Sequence, residues 1–310
     1  MIPPTPERVA EFLERAGMGP ADVVGAIPTR KREITAEKIA INAVMAGCLP
    51  EYMPVVAIAI EAMCEEKFNL HGTSASTAGS GHMVIVHGPI VKELDINYAN
   101  NLFGPTKRSN ATIGRAIRLI LMNVCGSVPG LLDKSTFGHP GKYSYCIAEN
   151  EELSPWAPLH VERGLSLDTS AVTVYGGNAP LQGDDHSSHT AEGILTSVAN
   201  GVLGQARPNC GEFMVILSPE LLGHVSEAGW TKKQVKDFLF EATKRPGSFW
   251  KGRDFWGTAQ EEGSISAAVT SPDDFIVLVA GGSAGGFFCS VMPWGGGNAT
   301  KSVTKAIRNV

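Results

Sequence analysis

Charged side chains, long apolar runs and paired cysteines are all scarce in this sequence. Only 18% of its 310 residues are charged, and the net charge is −5 with 26 Lys plus Arg. Nucleic acid is not an expected partner, because neutralising phosphates requires a basic face. The longest apolar stretch, "MPVVAIAIEAMC" from Met53 to Cys64, is too short to span a bilayer, so no membrane association is expected either.

The cysteines are scattered and form no CxxC pair. They stand at positions 48, 64, 125, 146, 210 and 289. This pattern excludes a zinc knuckle and a thioredoxin motif, and it is typical of reduced thiols in a cytoplasmic protein. The N-terminal stretch "MIPPTPERVAEFLERAG" predicts an amphipathic helix with acidic residues and not a signal peptide. We therefore expect a cytoplasmic location.

Glycine and apolar residues, by contrast, are plentiful. The chain has 35 Gly and is 43% hydrophobic, and short apolar runs alternate with amphipathic stretches. Such a pattern predicts an α/β fold with mixed strands. We divide the chain into an N-terminal helical segment (1–34), a first α/β lobe (35–140) and a second α/β lobe (141–310). The two lobes can also form one compact domain.

Two segments of the chain resemble each other. "TAEKIAINAV" (35–44) is similar to "TAEGILTSVA" (190–199), and each precedes a glycine-led strand, "GHMVIVHGP" and "GEFMVILSP". Each strand ends at a proline that can start a helix. This predicts a pseudo-duplicated arrangement with a site where the halves meet. The alternative is that the similarity reflects only the local pattern common to α/β proteins.

Histidines and aspartates are concentrated in "GDDHSSH" (183–189), just before a predicted helix. His186 is a candidate acid–base residue. His186 and His189, together with His160 and Glu162 of "PLHVERG", form a candidate site for zinc, iron or manganese, because imidazoles and carboxylates are common ligands of these metals. The alternative is helix capping, which explains Asp185 and the serines but not the two histidines.

Two further segments can hold an anion. In "GPTKRSNATIGRAIR" (104–118), Asn110 is a predicted helix cap with Lys107 and Arg115 nearby, which suits a carboxylate or phosphate. The alternative is ordinary capping with solvated charges. In "VAGGSAGG" (279–286), backbone N–H groups around Gly282, Ser283 and Gly285 can bind an anion or oxyanion, or the loop is only a tight turn. A strand sequence follows this serine, so it is not a nucleophile elbow.

Glu149 and Cys48 are the remaining catalytic candidates. In "YSYCIAE", strand alternation places Tyr145, Ile147 and Glu149 on one face, and a carboxylate on an apolar strand can act as acid or base. The alternative is a strand-end glutamate in contact with water. Cys48 lies where one predicted helix ends and another begins, a position that can lower a thiol pKa; the alternative is a buried small apolar residue.

Several longer segments resemble a known family. "NAVMAGCLPEYMPVV", "RSNATIGRAIRLILMNV", "HPGKYSYCIAENEELSPWAPLHVERG" and "AGWTKKQVKDFLFEA" are similar to a family of uncharacterised bacterial proteins associated with UGSC-motif proteins. Those proteins carry selenocysteine or cysteine in a thioredoxin-like domain. This chain has Cys125-Gly126-Ser127 without a following cysteine, and Leu221 stands where relatives have histidine. The resemblance implies a metabolic or redox context but brings no catalytic residues.

Taken together, the sequence favours a small-molecule enzyme. We expect a lyase, hydratase or hydrolase that acts on an anionic, carboxylate-bearing substrate by acid–base or metal-assisted chemistry. A divalent transition metal is the candidate cofactor, and a homo-oligomer is the expected assembly. The alternative is a redox or structural partner subunit that works beside a thiol or selenol protein.

Overall fold

The computed structural model describes residues 1–104, 106–253, 263–296 and 299–308. The α-helices in these ranges are α1 (Pro6–Arg15), α2 (Ala36–Ala46), α3 (Met53–Met63), α4 (Leu70–Ala75), α5 (Ile90–Glu93), α6 (Arg108–Asn123), α7 (Leu159–Glu162), α8 (Ala191–Gln205), α9 (Pro219–Glu227), α10 (Lys232–Ala242) and α11 (Gly247–Trp250). None of them is long and apolar enough to cross a membrane.

The strands form two four-stranded sheets and two short two-stranded pairs. They are β1 (Val23–Ile27), β2 (Arg32–Thr35), β3 (Gly81–His87), β4 (Cys146–Ala148), β5 (Ala171–Gly177), β6 (Leu181–Asp184), β7 (Phe213–Leu217), β8 (Arg245–Pro246), β9 (Ile265–Ser266), β10 (Phe275–Val279), β11 (Phe287–Val291) and β12 (Val303–Ala306). The first sheet has the order β4-β3-β5-β12 and the second the order β10-β7-β11-β6. The α/β fold with mixed strands is confirmed.

Both four-stranded sheets have the same pairing directions. In the first, β3 pairs parallel with β4 and antiparallel with β5, which pairs antiparallel with β12. In the second, β7 pairs parallel with β10 and antiparallel with β11, which pairs antiparallel with β6. The central strands β3 and β7 follow the two similar segments, α2 and α8 begin within those segments, and a proline follows each strand. The pseudo-duplicated arrangement that the sequence repeat predicts is therefore present in the topology.

The edge strands are exchanged between the two halves. β6 follows β5 along the chain but pairs in the second sheet, and β12 follows β11 but pairs in the first. The segment that leads from β5 to β6 crosses the segment that leads from β11 to β12. At this crossing Asn178 N–H donates to the carbonyl of Met292, and Trp294 N–H donates to the carbonyl of Gly176. Residues 35–140 and 141–310 thus both contribute strands to the first sheet, and the division into two lobes stays a prediction.

Four layers result from the packing of the two sheets. Alternate residues of their strands, including Met83, Ile147, Met214 and Leu278, form one buried cluster between the sheets. The other face of the first sheet packs against α3 and α6, on which α1 and α2 pack in turn, and the other face of the second packs against α8 and α10. Because the central strands are covered on both faces, their sequences are almost continuously apolar.

Candidate functional site

A cluster of two histidines and two glutamates lies at the carboxyl ends of β3 and β4. His87 is the last residue of β3, and Glu149 and Glu151 follow directly after β4. His87 has the strand parity of Met83 and Ile85, so it points between the two sheets. Parallel neighbours end at the same sheet edge, a common location for ligand sites in α/β proteins. His160, in the short helix α7, completes the cluster.

The four side chains contact one another closely. His87 Nδ1 lies 3.4 Å from Glu149 Oε2 and 3.8 Å from Glu151 Oε1. His160 Nδ1 lies 3.6 Å from the same oxygen of Glu151. One potential ligand atom each from His87, Glu151 and His160 falls within 4.8 Å of the others, and the described residues contain no other such group of three. We call His87, Glu149, Glu151 and His160 the His–Glu cluster.

Several buried polar atoms of the His–Glu cluster have no hydrogen-bond partner. These are His87 Nδ1, Glu149 Oε1 and both ring nitrogens of His160. His87, Glu149 and His160 are almost fully buried. An unpaired buried polar group costs about 1–3 kcal/mol, and more when it is charged. Such a concentration of unpaired atoms is the arrangement expected of a site that binds something.

The other polar atoms of the cluster are held in place by hydrogen bonds. Gly88 N–H donates to Glu151 Oε1 at 2.9 Å, and Leu159 N–H donates to Glu149 Oε2 at 3.0 Å. His87 Nε2 lies 2.9 Å from Thr173 Oγ1 on β5. Each of these contacts fixes one side of a functional group and leaves the other side directed into the cluster. The carboxylates and the His87 ring are therefore preorganised.

The acid–base properties of the cluster residues differ. Burial alone would raise the pKa of Glu149, but the His87 imidazole, the positive charge of Lys232 and the Leu159 N–H outweigh it, so the net pKa is lowered. Burial raises the pKa of Glu151, against the hydrogen bond from Gly88. Burial lowers the pKa of His160, and so does the neighbouring His87, and together they outweigh the opposing effects of the Leu167 and Ser166 backbone and of Glu149. The cluster thus favours an ionised Glu149 beside a neutral His160.

A buried lysine stands beside the cluster. Lys232, the first residue of α10, has its Nζ 4.0 Å from Glu149 Oε1 and 3.0 Å from Glu162 Oε1. The same ammonium donates to the carbonyl of Ala157 at 2.6 Å. Glu162 therefore forms an ion pair with Lys232 and does not join the His–Glu cluster. Lys232 partly balances the negative charge of Glu149.

A cavity gives access to the two carboxylates. It has a volume of about 380 Å³ and includes Glu149 and Glu151 in its lining. Its other lining residues are Gly88, Pro89, Val91, Lys92, Tyr98, Glu152 and Leu167. The Lys92 ammonium pairs with Glu152, which also accepts a hydrogen bond from the Tyr98 hydroxyl at 3.3 Å. A small molecule in this cavity would reach the carboxylates of the cluster.

The donor set of the cluster suits a divalent transition metal. Two imidazoles and one carboxylate are a common ligand set of catalytic zinc and of non-haem iron, and they leave at least one coordination position for water or substrate. His87 Nδ1 and the ring nitrogens of His160 have no hydrogen-bond partner, so each ring can offer a lone pair to such an ion when its proton is on the other nitrogen. His87, Glu151 and His160 can therefore hold a metal ion, with Glu149 beside it.

The predicted four-residue metal site is not formed. His160 belongs to the His–Glu cluster and Glu162 pairs with lysines, whereas His186 and His189 are exposed and lie elsewhere. His186 packs edge-on against Phe287, and His189 packs against His224. The grouping was wrong because sequence spacing does not show which segments meet. The sequence predicted five residues for metal binding or proton transfer: His160, Glu162, His186, His189 and Glu149. Of these, His160 and Glu149 alone belong to the His–Glu cluster.

Asp185 organises the turn formed by "GDDHSSH", and Thr190 caps the helix that follows. The buried Asp185 accepts hydrogen bonds through Oδ1 from the N–H groups of Ser187 and Ser188, and through Oδ2 from the Ser197 hydroxyl. Thr190 caps α8 by accepting from Gly193 N–H. The carboxylate of Asp185 is thus fully used in organising the turn before the helix.

The predicted anion site at the start of α6 is occupied by the protein itself. The helix begins at Arg108, so Asn110 lies in its first turn and not at its cap. The buried Asn110 side chain donates to the carbonyls of Asn97 and Cys146 and accepts from Asn97 N–H. Lys107 pairs with Asp95, and the Arg115 guanidinium lies over the Tyr143 ring. Asn110 therefore ties a loop to β4 and has no group left for an anion.

The glycine loop lies at the equivalent edge of the second sheet. Gly282 and Gly285 line a cavity of about 350 Å³, and Ser283 is exposed. The N–H of Gly285 donates to Glu220, so a carboxylate of the protein already occupies this donor. Gly281 N–H donates to the carbonyl of Tyr98. The loop connects β10 to β11, which lie on opposite sides of β7 in the sheet, so it is not a tight turn between paired strands. Its anion-binding role stays a prediction.

Burial makes the thiols poor nucleophiles. It raises the pKa of Cys48 to about 12, outweighing the hydroxyl of Thr112 and the charge of Arg108. The expected lowering of this pKa by a helix N-terminus was wrong, because Cys48 is buried and precedes only a single 3₁₀ turn. Burial also raises the pKa of each of the other thiols, Cys64, Cys125, Cys146, Cys210 and Cys289.

Sequence reasoning did not identify His87 or Glu151 as site residues. Both carried a signal: His87 ends an otherwise apolar strand at "VHGP", and Glu151 follows Glu149 in "AENEE". A polar residue where a buried strand ends is a candidate site residue in an α/β protein.

Comparison of the chain with protein-family models and with curated proteins finds no match. The resemblance to the UGSC-associated family therefore stays a prediction.

Proposed function

We propose that this chain is a small-molecule enzyme whose reaction centre is the His–Glu cluster, with a divalent transition metal bound by His87, Glu151 and His160. The reaction class is hydrolysis, hydration or elimination, and the substrate carries a carboxylate. The observation that carries the proposal is the set of unpaired buried atoms that converge there. An apolar packing role does not account for them, because unpaired polar groups destabilise a core.

In this proposal His87, Glu151 and His160 would hold the metal ion, which would supply Lewis-acid chemistry and activation of a water. Glu149 is the general base. Its Oε2 is held by Leu159 N–H, while Oε1 is unpaired and the residue lines the access cavity. The lowered pKa keeps the carboxylate ionised near neutral pH, as proton abstraction requires. Lys232 holds positive charge behind Glu149. A substrate would approach the cluster through the cavity that Glu149 and Glu151 line.

A metal-free acid–base mechanism is the second candidate. It is favoured by the 3.4 Å approach of His87 Nδ1 to Glu149 Oε2, which resembles a proton-transfer pair. The redox alternative has less support, because burial raises the pKa of all six thiols and so disfavours the reactive thiolate.

Metal analysis of the purified protein tests the proposal. We expect a stoichiometric transition metal in the wild type that is lost in His160→Ala. His189→Ala is the matched control, since it removes an exposed histidine outside the cluster and should keep the metal. Zinc should raise the melting temperature of the wild type and of the control, but not that of His160→Ala.

Two results would count against the metal. Zinc that neither binds to the wild type nor raises its melting temperature would leave the acid–base mechanism at His87 and Glu149. Metal that is retained in His160→Ala but lost in His186→Ala would instead restore "GDDHSSH" as the metal site. Circular dichroism of each variant shows whether a lost metal reflects lost ligands or lost folding.

A further inference from the structure

A chain of hydrogen bonds leads from the His–Glu cluster to the exchanged strand β12. His87 Nε2 lies 2.9 Å from Thr173 Oγ1, which lies 2.8 Å from Thr304 Oγ1 on β12. The Arg163 guanidinium donates to Thr304 Oγ1 at 3.1 Å. Neither threonine hydroxyl has another hydrogen-bond partner in the described part of the chain. The C-terminal strand of one half thus supports a side chain in the sheet of the other.

Arg163 can only donate, and this favours one direction of the chain. If Thr304 donates to Thr173 and Thr173 donates to His87 Nε2, each hydroxyl donates once and accepts once. The ring proton of His87 then resides on Nδ1, facing Glu149 and Glu151. The negative charge of these carboxylates favours the same tautomer. In the empty site, therefore, both arguments place the proton on Nδ1.

A metal ion at His87 Nδ1 requires the opposite direction. Nδ1 must then offer a lone pair, so Nε2 carries the proton and donates to Thr173. Thr173 is fully buried, and its own hydroxyl proton then needs an acceptor. Thr304 is the partner in reach, and it is partly exposed, so its own proton can turn to solvent.

We infer that Thr304 is a positioning residue of the His–Glu cluster. It donates a hydrogen bond to Thr173 when the site holds no metal and accepts one from Thr173 when a metal ion is bound. This reversal lets His87 change tautomer and bind the metal ion. This inference rests on the proposed metal site for its second half only. The first half concerns the tautomer of metal-free His87, and it does not depend on whether the protein binds a metal ion.

Histidine ¹⁵N NMR on the metal-free full chain tests the first half. The two ring nitrogens differ widely in chemical shift according to which one carries the proton. We expect His87 in the Nδ1–H form at neutral pH. Its signals are assigned by their loss in His87→Gln and, should that variant not fold, by their shift in Thr173→Val. Finding His87 in the Nε2–H form overturns the inference.

Zinc affinity, measured by competition with a chromophoric chelator, tests the second half. Thr304→Val keeps the shape of the side chain but can no longer accept the hydrogen bond from Thr173, so we expect roughly fivefold to tenfold weaker binding. Thr304→Ser restores the hydroxyl and should bind as the wild type does. A purely structural role predicts unchanged affinity in folded Thr304→Val, and that outcome overturns the inference.

If the wild type binds no zinc, the proposed function is contradicted, but the inferred tautomer of metal-free His87 is not. In that case the NMR result alone decides: Nδ1–H supports the hydrogen-bond direction derived from Arg163, and Nε2–H refutes it. The two failures are therefore distinguishable in one set of samples.

Discussion

His87 Nδ1 lies 3.4 Å from Glu149 Oε2, and the two residues come from the ends of the neighbouring parallel strands β3 and β4. The same edge of the second sheet has Ser218 after β7 and Ala280 after β10. At this edge of the second sheet, small residues and a cavity of about 350 Å³ replace the imidazole of His87 and the carboxylate of Glu149. The two halves thus share a topology, but the His–Glu cluster belongs to the first sheet.

The two cluster glutamates have different expected effects on metal binding. Glu151→Gln removes a proposed ligand and should weaken zinc binding by tenfold or more, roughly the loss seen when a site loses ligand support. Glu149→Gln keeps the acceptor for Leu159 N–H and removes only the proposed base, so zinc affinity should change little. Chelator competition measures both. Equal losses in the two variants would make Glu149 a ligand and not a base.

A buried ion pair outside the cluster predicts acid sensitivity. Asp133 pairs with Arg118 at 2.9 Å and with Lys142 at 3.0 Å. Burial alone would raise the pKa of Asp133, but the hydroxyl of Ser135 and the charge of Lys142 lower it to about 2. Because the folded pKa lies below the unfolded value, this carboxylate stabilises the fold above about pH 4, and the contribution is lost as the pH falls toward 2.

Asp133→Asn should lower the free energy of unfolding by about 3–5 kcal/mol at neutral pH, since it leaves the buried Arg118 and the largely buried Lys142 without their carboxylate partner. The difference from the wild type should shrink as the pH falls from about 4 toward 2. Urea unfolding across this range measures it. Asp95→Asn is the control: its pair with Lys107 is exposed, so the expected loss is below about 1 kcal/mol. Similar losses in both variants would contradict the argument.

The capping interpretation of "GDDHSSH" predicts a contrast between neighbours. Asp185→Ala removes the acceptor of four hydrogen bonds, three from the turn before α8 and one from Ser197 in the helix, and should destabilise the protein by about 2 kcal/mol. The exposed His186 and His189 should each cost less than about 0.5 kcal/mol when changed to alanine. Thermal or urea unfolding measures all three. A large effect of either histidine would point to a role that capping does not explain.

The six cysteines should react slowly with a thiol reagent at neutral pH. Burial raises each thiol pKa, and the pKa of Cys48 reaches about 12. Denaturant should make all six reactive. Ser283→Cys, at an exposed loop position, is a control that should react rapidly in the folded protein. Rapid labelling of Cys48 in the native state would revive the redox alternative.

Local signals in the sequence were enough for the class of fold. Apolar runs bounded by glycine and proline predicted the buried strands, because a strand covered on both faces needs apolar side chains throughout. The alternation that placed Tyr145, Ile147 and Glu149 on one face is confirmed, since the first two pack between the sheets and Glu149 joins the cluster. The repeat at 35–44 and 190–199 predicted the matching topology of the two sheets.

Only the tertiary structure decided which polar residues meet. His87 lies far along the chain from Glu151 and His160, and the parallel pairing of β3 with β4 and the position of α7 bring the three together. Local signals marked His87 and Glu151 as residues at strand ends, but no local signal showed that they meet His160 or that the fold leaves His186 and His189 exposed. The sequence did not predict the exchange of β6 and β12 between the two sheets either. Strand pairing depends on contacts between distant segments and not on the pattern within either one.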